Sequence, residues 1–164
     1  SRDNNFPIKI SLVICDNKNA KGIDYAKIYK IPYVFIDTKL RNYENKILLN
    51  LKKNKISFIC LAGYMKIISK YLINNCKKKI INIHPSLLPK FKGLNTFSRI
   101  LEKKEVKTGC TVHYVNDKLD GGDKIIQKFF FINAGDDKHA LKKKTQLIEY
   151  NAYPEAIIKI FRNN

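Results

Sequence analysis

Three polar side chains in this sequence are of the types that catalyse acyl transfer. Asn82 and His84 lie two positions apart in the string Asn-Ile-His-Pro, so on a strand they point to the same face. An amide N–H can stabilise an oxyanion, and an imidazole can transfer protons near neutral pH. Asp120 precedes two glycines, and its carboxylate would favour the imidazolium form of a neighbouring His84. This combination predicts chemistry at a carbonyl carbon.

The same residue types also permit structural interpretations, which stay open at this point. His84 could cap a loop, and Asp-Gly-Gly is also typical of an ordinary turn. No G-x-S-x-G string surrounds Ser86, so we interpret it as a loop hydroxyl that caps the backbone or contacts ligand. His113 is either a hydrogen-bonded core residue or a site residue. Glu149 could form an i,i+4 pair or accept from ligand hydroxyls.

In the first half of the chain, β-branched runs alternate with amphipathic segments. The pattern predicts strands over 9–15, 33–36, 57–62 and 79–84, and helices over 22–29, 43–53 and 65–72. This alternation is typical of an α/β fold with a doubly wound, mostly parallel sheet. In such sheets ligands gather beyond the carboxyl ends of the strands, so the loops after 62 and 84 are expected at the functional rim.

The second half of the chain shows a different order of elements. The pattern predicts a helix over 96–103, strands over 111–115 and 124–132, and a long helix over 136–161. The strand over 124–132 is expected to be antiparallel to the preceding one. Pro154 is expected to bend or break the long helix, because proline has no backbone N–H. The length of 164 residues fits a single domain.

Composition limits the function classes. The chain has 32 basic and 14 acidic residues, a net charge of +18. Because the lysines are scattered and arginine is sparse, specific nucleic-acid binding is not predicted. No run of 18 apolar residues exists, so no membrane span is expected. The four cysteines lack metal-ligand spacing, which favours reduced thiols in a cytoplasmic protein with no metal site: Cys15, Cys60, Cys76 and Cys110.

The string NIHPSLLP, followed by KGLNT and LDGG, resembles the folate-dependent formyltransferases, and among them the phosphoribosylglycinamide formyltransferases. The similarity runs over residues 9–161. It implies a Rossmann-like N-terminal half, a folate-binding C-terminal half and a monomer or homodimer. It also implies that the formyl group of the co-substrate 10-formyltetrahydrofolate passes to the amine of glycinamide ribonucleotide in purine synthesis. The implied catalytic residues are Asn82, His84 and Asp120.

The resemblance further implies two sets of binding residues. Those expected to contact the reduced folate are Arg41, Met65, Lys66, Ile67, Ile68, Asn82, Asn116 and Asp117. Those expected to contact the ribonucleotide are Pro85, Ser86 and Glu149, with His113 as a further candidate for the site. Lys66 stands where many members have arginine, and the match at Arg41 is the loosest of the set.

The chain departs from the pattern of the resembled enzymes in two places. Asn95 and Phe97 stand where many relatives have histidines. The family also begins with a strand and a Gly-Ser-Asn phosphate loop, and neither precedes Lys9. We therefore expect one formyltransferase domain over 1–164 that lacks the first strand and helix, with weakened binding of the ribonucleotide phosphate.

Three rival functions remain at this point. Formyltetrahydrofolate deformylase uses water as the acceptor, but its loop usually reads His-His-Ser where this chain has His84-Pro85-Ser86. Methionyl-tRNA formyltransferase fits the basic charge. Both rivals are expected to carry an additional domain that this sequence does not show. An inactive remnant is the third alternative, suggested by the absent phosphate loop.

Overall fold

Six strands and five helices form within residues 6–162, the part of the chain that the computed structural model describes. In chain order they are β1 (Val13–Cys15), α1 (Lys21–Ile28), β2 (Tyr33–Phe35), α2 (Tyr43–Lys53), β3 (Phe58–Leu61), α3 (Lys70–Cys76), β4 (Lys79–His84), α4 (Thr96–Glu102), β5 (Lys107–Tyr114), β6 (Lys124–Phe131) and α5 (Lys138–Arg162). The chain divides into two units, which are described separately.

The first unit comprises Ser1–Phe58 and Ile68–Lys78. Strands β1 and β2 pair in parallel, and α1 buries Ile23 and Ala26. Helix α3 begins at Lys70 because the Ser69 hydroxyl accepts from the N–H of Leu72, which is an N-cap contact. The same hydroxyl donates to the Glu44 carboxylate at 2.8 Å and so joins α3 to α2.

The second unit comprises Ile59–Ile67 and Lys79–Asn164. Its sheet has the order β3-β4-β5-β6, with antiparallel pairing of β4 to β5 and of β5 to β6. Helix α5 packs against β5 and β6. Side chains from the sheet and from α4 and α5 form the core of this unit, and the fully buried apolar ones include Ile81, Ile100, Cys110, Val112, Leu141, Ala152 and Ala156. This sheet carries the candidate site.

One tyrosine of α5 joins the helix to two strands. The Tyr153 hydroxyl lies 2.8 Å from the carbonyl oxygen of Leu61 on β3 and 3.2 Å from that of Ile81 on β4. Burial raises the pKa of Tyr153 above its ordinary value, so the hydroxyl keeps the proton that it donates to these carbonyls. The contact with Ile81 fixes β4 directly before Asn82, the first residue of the Asn-Ile-His string.

Several predictions of the sequence analysis are confirmed. The fold is mixed α/β, the C-terminal part adds antiparallel strands, and a long helix ends the described chain. Helix α2 and strand β4 have the predicted bounds. The single domain over 1–164 and the missing first strand and helix stay predictions, and residues 1–5 lie outside the described residues.

Other predictions are wrong in part. The helix expected over 65–72 does not include 65–69, because the Ser69 cap places its start at Lys70. Helix α5 is not broken at Pro154, which lies between the fully buried Ala152 and Ala156, and the expected bend there stays a prediction. The strand expected over 9–15 is reduced to β1 and is half-buried, whereas the strand expected over 111–115 begins earlier, at Lys107.

Candidate active site

The pairing of β4 with β5 places four polar side chains on one face of the sheet. Asn82 lies opposite His113, and His84 lies opposite Thr111. Side chains two residues apart on a strand share a face, and directly opposed residues of an antiparallel pair are neighbours. The register therefore brings the amide and both imidazoles together, although the sequence separates them.

His84 is held from both ring nitrogens. Its Nδ1 lies 3.2 Å from Oδ2 of Asp120, with both side chains less than a tenth exposed. Its Nε2 lies 2.8 Å from the carbonyl oxygen of Phe91. A carbonyl and a carboxylate are both acceptors, so the doubly protonated imidazolium satisfies both contacts. The predicted pairing of His84 with Asp120 is thus present in the structure.

The loop that carries Asp120 has an unusual backbone. Asp120 has a φ of 45°, in the left-handed region that aspartate tolerates better than most side chains. Its carboxylate also accepts from the N–H of Gly93 at 2.8 Å. A Cβ at Gly122 would lie 1.9 Å from the carbonyl oxygen of Tyr114, and one at Gly121 would lie 2.7 Å from a side-chain atom of Lys118. The two glycines therefore let the loop pass close to β5 while presenting the carboxylate.

His113 is a buried member of the same cluster. Its Nδ1 donates to the carbonyl of Tyr114 at 2.7 Å. Burial lowers the pKa of His113, so the neutral ring with its proton on Nδ1 is favoured. Its Nε2 then accepts from the amide nitrogen of Asn82 at 3.5 Å and lies 3.7 Å from the carboxylate of Asp120. His113 is consequently both hydrogen-bonded in the core and part of the site.

Ser86 has a structural role in the loop after β4. It is fully buried, and its hydroxyl donates to the carbonyl of Lys90 at 2.6 Å. Its own carbonyl accepts from the Thr111 hydroxyl at 2.7 Å. A ribonucleotide contact through the Ser86 side chain is therefore not supported, because that side chain is enclosed and already bonded. Pro85, the neighbouring candidate, is half-buried.

The residues expected to contact folate after β3 lie in an irregular, open segment. Met65 is 74% exposed and Ile67 is 71% exposed, which is unusual for large apolar side chains and leaves them available to a ligand. Lys66 between them is also exposed. Ile68 and Arg41 belong to the first unit, where Ile68 is half-buried and Arg41 is exposed.

The remaining candidates lie on the loop before Asp120 and on α5. Asn116 and Asp117 are exposed, and the Asn116 side chain accepts from the N–H of Lys118 at 3.0 Å. Glu149 is half-buried on α5, and this burial raises the pKa of its carboxyl group to about 7. Burial raises the pKa of the Cys110 thiol on β5 to about 12, and the charge of Glu149 contributes to a smaller extent.

Sequence reasoning missed the part played by residues 91–95. The carbonyl of Phe91 and the N–H of Gly93 contact His84 and Asp120 respectively. Backbone groups have no signal of their own in a sequence. The isolated glycine at 93, followed by Asn95, was the only local indication of a left-handed turn, which the structure shows at both positions.

Two features of residues 6–162 bear on other functions. No group of three or more histidine, cysteine or acidic side chains within residues 6–162 is arranged to hold a metal ion. None of the helices over that range combines the length and apolar character that crossing a bilayer requires.

Comparison with known proteins shows a consistent set of relatives. The Formyl transferase family matches residues 1–157. The chain is 37% identical over 162 residues to a phosphoribosylglycinamide formyltransferase of Haemophilus influenzae, covering 95% of this chain and 75% of that protein. It is 38% identical over 153 residues to the "Trifunctional purine biosynthetic protein adenosine-3" of Drosophila pseudoobscura pseudoobscura, covering 91% of this chain.

The lengths of the relatives differ widely. The chain spans 11% of the Drosophila trifunctional protein and 16% of its human counterpart, so it matches a small part of each. Among solved structures it is similar to a phosphoribosylglycinamide formyltransferase from Bacillus halodurans, at 34% identity and a TM-score of 0.90. That match covers 94% of this chain and 82% of the other, and the two share a Rossmann-like fold.

Proposed function

Because the chain belongs to the formyl transferase family, we propose that it transfers the formyl group of 10-formyltetrahydrofolate to the amine of glycinamide ribonucleotide in purine biosynthesis. The observation that carries this proposal is the convergence of Asn82, His84 and Asp120 on one face of the sheet in the second unit. These are the donor, the imidazolium and the carboxylate that formyl transfer to an amine requires.

The first chemical step is attack by the amine nitrogen of the ribonucleotide on the formyl carbon. The formyl oxygen then becomes an oxyanion, which accepts from the amide of Asn82 and from Nε2–H of His84. Nε2 is the ring nitrogen that faces away from Asp120, and its present acceptor is the carbonyl of Phe91. The oxyanion shares this N–H with the carbonyl of Phe91, so the imidazole keeps its orientation while it donates to the oxyanion.

Proton movement completes the transfer. The attacking nitrogen loses a proton to Asp120, directly or through a water molecule. The bond between the formyl carbon and the folate nitrogen breaks, and that nitrogen takes a proton from His84. That proton leaves Nε2, and His84 keeps the proton on Nδ1, which lies 3.2 Å from Asp120. Asp120 then releases its proton to water and Nε2 takes one up from water, which restores the imidazolium for the next turnover.

The binding assignments follow the same proposal. Met65, Lys66 and Ile67, with Asn116 and Asp117 of the loop before the catalytic carboxylate, are proposed to contact the reduced folate. Their exposure supports this assignment. Both substrates carry negative charge, and the net charge of +18 would raise their rate of encounter with the protein.

The ribonucleotide is proposed to use Glu149 and the backbone near Pro85. A carboxylate can accept from two ribose hydroxyls when it is ionised. The pKa of about 7 makes that ionisation incomplete in the free protein near neutral pH, so hydroxyl donors from the ligand would draw Glu149 to its charged form. Arg41 and Ile68 are retained as folate contacts on the resemblance alone.

We place the protein in the cytoplasm. All four cysteines are free thiols, as is usual where glutathione and thioredoxin keep thiols reduced. Its partners in this proposal are the two small-molecule substrates. No metal takes part in the reaction as written.

An acceptor assay tests the proposal against its rivals. The chain is incubated with 10-formyltetrahydrofolate and, separately, with glycinamide ribonucleotide, water alone or methionyl-tRNA. The proposal predicts formyl transfer to the ribonucleotide that is lost in His84→Ala and kept in His139→Ala, because His139 is exposed at the start of α5. Release of formate, transfer to the tRNA, or absence of turnover would each contradict it.

A further inference from the structure

The 91–95 loop between β4 and α4 is unusually strained. Phe91, Gly93 and Asn95 have φ values of 57°, 78° and 55°, all in the left-handed region. Two of these three residues carry side chains, for which that conformation is unfavourable. Such backbones persist only where the surrounding contacts hold them, and they cluster at functional sites.

Two backbone groups of the loop touch the catalytic pair. The carbonyl of Phe91 accepts from Nε2 of His84 at 2.8 Å, and the N–H of Gly93 donates to Oδ2 of Asp120 at 2.8 Å. The same carboxylate oxygen lies 3.2 Å from Nδ1 of His84. The loop thus closes a ring of contacts around the pair, and a shift of the loop would reorient the imidazole and the carboxylate together.

Arg99 of α4 holds this loop from the other side. Its Nη1 donates to the carbonyl of Lys92 at 2.6 Å and lies 3.4 Å from that of Leu94. Its guanidinium carbon lies 5.6 Å from the centre of the Phe91 ring, within range of a cation–π contact. The two bonded carbonyls flank Gly93, and the contacted ring belongs to Phe91. The arginine therefore contacts Phe91 directly and contacts the residues on both sides of Gly93.

We infer that Arg99 is a positioning residue for the transfer reaction: it fixes the 91–95 loop so that Phe91 and Gly93 hold His84 and Asp120 in their working orientation. The inference rests on the proposed function only for the identity of the reaction that Arg99 supports. The positioning itself follows from the contacts described above. The planar guanidinium of arginine suits the holding of this loop, because it stacks on an aromatic ring and offers a rigid set of donors. A lysine ammonium offers only a point charge on a flexible side chain.

Steady-state kinetics of three variants provide the first test. Arg99→Ala is expected to lower kcat about 10- to 100-fold, with a smaller change in KM, because a displaced catalytic pair still binds substrates. Arg99→Lys keeps the charge and is expected to recover activity only in part. Lys103→Ala removes an exposed charge just after the same helix and is expected to match the unaltered protein. Wild-type kcat in Arg99→Ala, or full recovery in Arg99→Lys, would overturn the inference.

A second measurement does not depend on turnover. The ring N–H of His84 that donates to Phe91 is expected to give a protected proton resonance in nitrogen-15 NMR spectra, identified by its loss in His84→Ala. In Arg99→Ala and Arg99→Lys it is expected to broaden through exchange with water, while in Lys103→Ala it stays sharp. A sharp resonance in Arg99→Ala would overturn the inference.

The two measurements separate the inference from the proposed function. If the unaltered chain fails to transfer formyl groups while the resonance still responds to Arg99, the proposed reaction is wrong and the positioning contact stands. If the unaltered chain is active and neither kcat nor the resonance responds, the positioning role is wrong and the reaction stands.

Discussion

Gly122 passes so close to Tyr114 that any side chain at this position would collide with the strand. A Cβ on Gly122 would lie 1.9 Å from the Tyr114 carbonyl oxygen, well inside van der Waals contact, and the obstacle is backbone. Because Asp120 lies two residues earlier on the same loop, this close approach sets where the carboxylate meets His84. The glycine is therefore a requirement of the site rather than of the turn alone.

Gly122→Ala is expected to push the loop away from β5 and to separate Asp120 from His84. Formyl transfer should fall by about two orders of magnitude, as expected when a catalytic group is displaced by about an ångström. Activity and the thermal unfolding midpoint are measured together. Gly22→Ala is the matched control, because a Cβ there meets nothing within 4 Å and alanine favours the helix. Equal activity of the two variants would contradict this interpretation of the loop.

Glu149 is expected to make the stability of the free protein depend on pH. Its pKa is about 7 in the folded chain and about 4.5 when exposed, so the folded state binds its proton more tightly. The resulting stabilisation is complete below pH 4.5 and is lost as the pH rises towards about 7. Glu149→Gln should remove this loss. At pH 8 the free energy of unfolding of the variant should exceed that of the unaltered protein by on the order of 1–3 kcal/mol, a range that allows for the partial exposure of Glu149.

Urea unfolding at several pH values measures this effect. Glu155→Gln is the control on the same helix, because Glu155 is half-exposed and pairs with Lys128. That control should leave the slope of stability between pH 5 and about 8 close to that of the unaltered protein. An unchanged slope in Glu149→Gln would show that another group titrates there.

His113 is expected to orient the amide of Asn82. His113→Asn keeps a donor near the Tyr114 carbonyl but removes the acceptor that faces Asn82, so kcat should fall on the order of tenfold, the worth of one hydrogen bond. His113→Gln places an acceptor nearer the position of Nε2 and should retain more activity. Steady-state kinetics of the pair decide the matter, and the opposite order of the two variants would exclude the orienting role.

The Tyr153 hydroxyl is expected to stabilise the second unit. Tyr153→Phe removes the donor shared by the carbonyls of Leu61 and Ile81 and should lower the free energy of unfolding by about 1–3 kcal/mol. Tyr150→Phe removes a hydroxyl from a side chain that is 71% exposed and should change the free energy of unfolding little. Denaturant unfolding of both variants provides the test, and equal losses would mean that the buried contact contributes nothing specific.

Local pattern was enough to predict those elements whose cause is local. The alternation of Asn82 and His84 on β4 follows from the period of a strand, and the bounds of α2 follow from apolar residues at helical spacing. The pairing of His84 with Asp120 was predicted from the resemblance and from complementary chemistry. Such features require no knowledge of which segments meet in space.

Contacts between distant segments could not be predicted in the same way. The antiparallel register that sets Asn82 opposite His113 depends on tertiary packing of β4 and β5. Ser86 was expected to cap the backbone or to contact ligand, and its burial and its hydrogen bonds to Lys90 and Thr111 follow from the path of the loop. The continuity of α5 through Pro154 could likewise not be predicted from the local pattern, in which a proline inside a helix favours a break.

His84 and Asp120 are proposed to act as one unit, and a double-mutant cycle on kcat tests this coupling most directly. His84→Ala and Asp120→Asn should each lower kcat by about 10²–10³-fold. The double variant should be hardly slower than the slower single variant, because removing either member already disables the pair. Independent effects that multiply in the double variant would contradict the account.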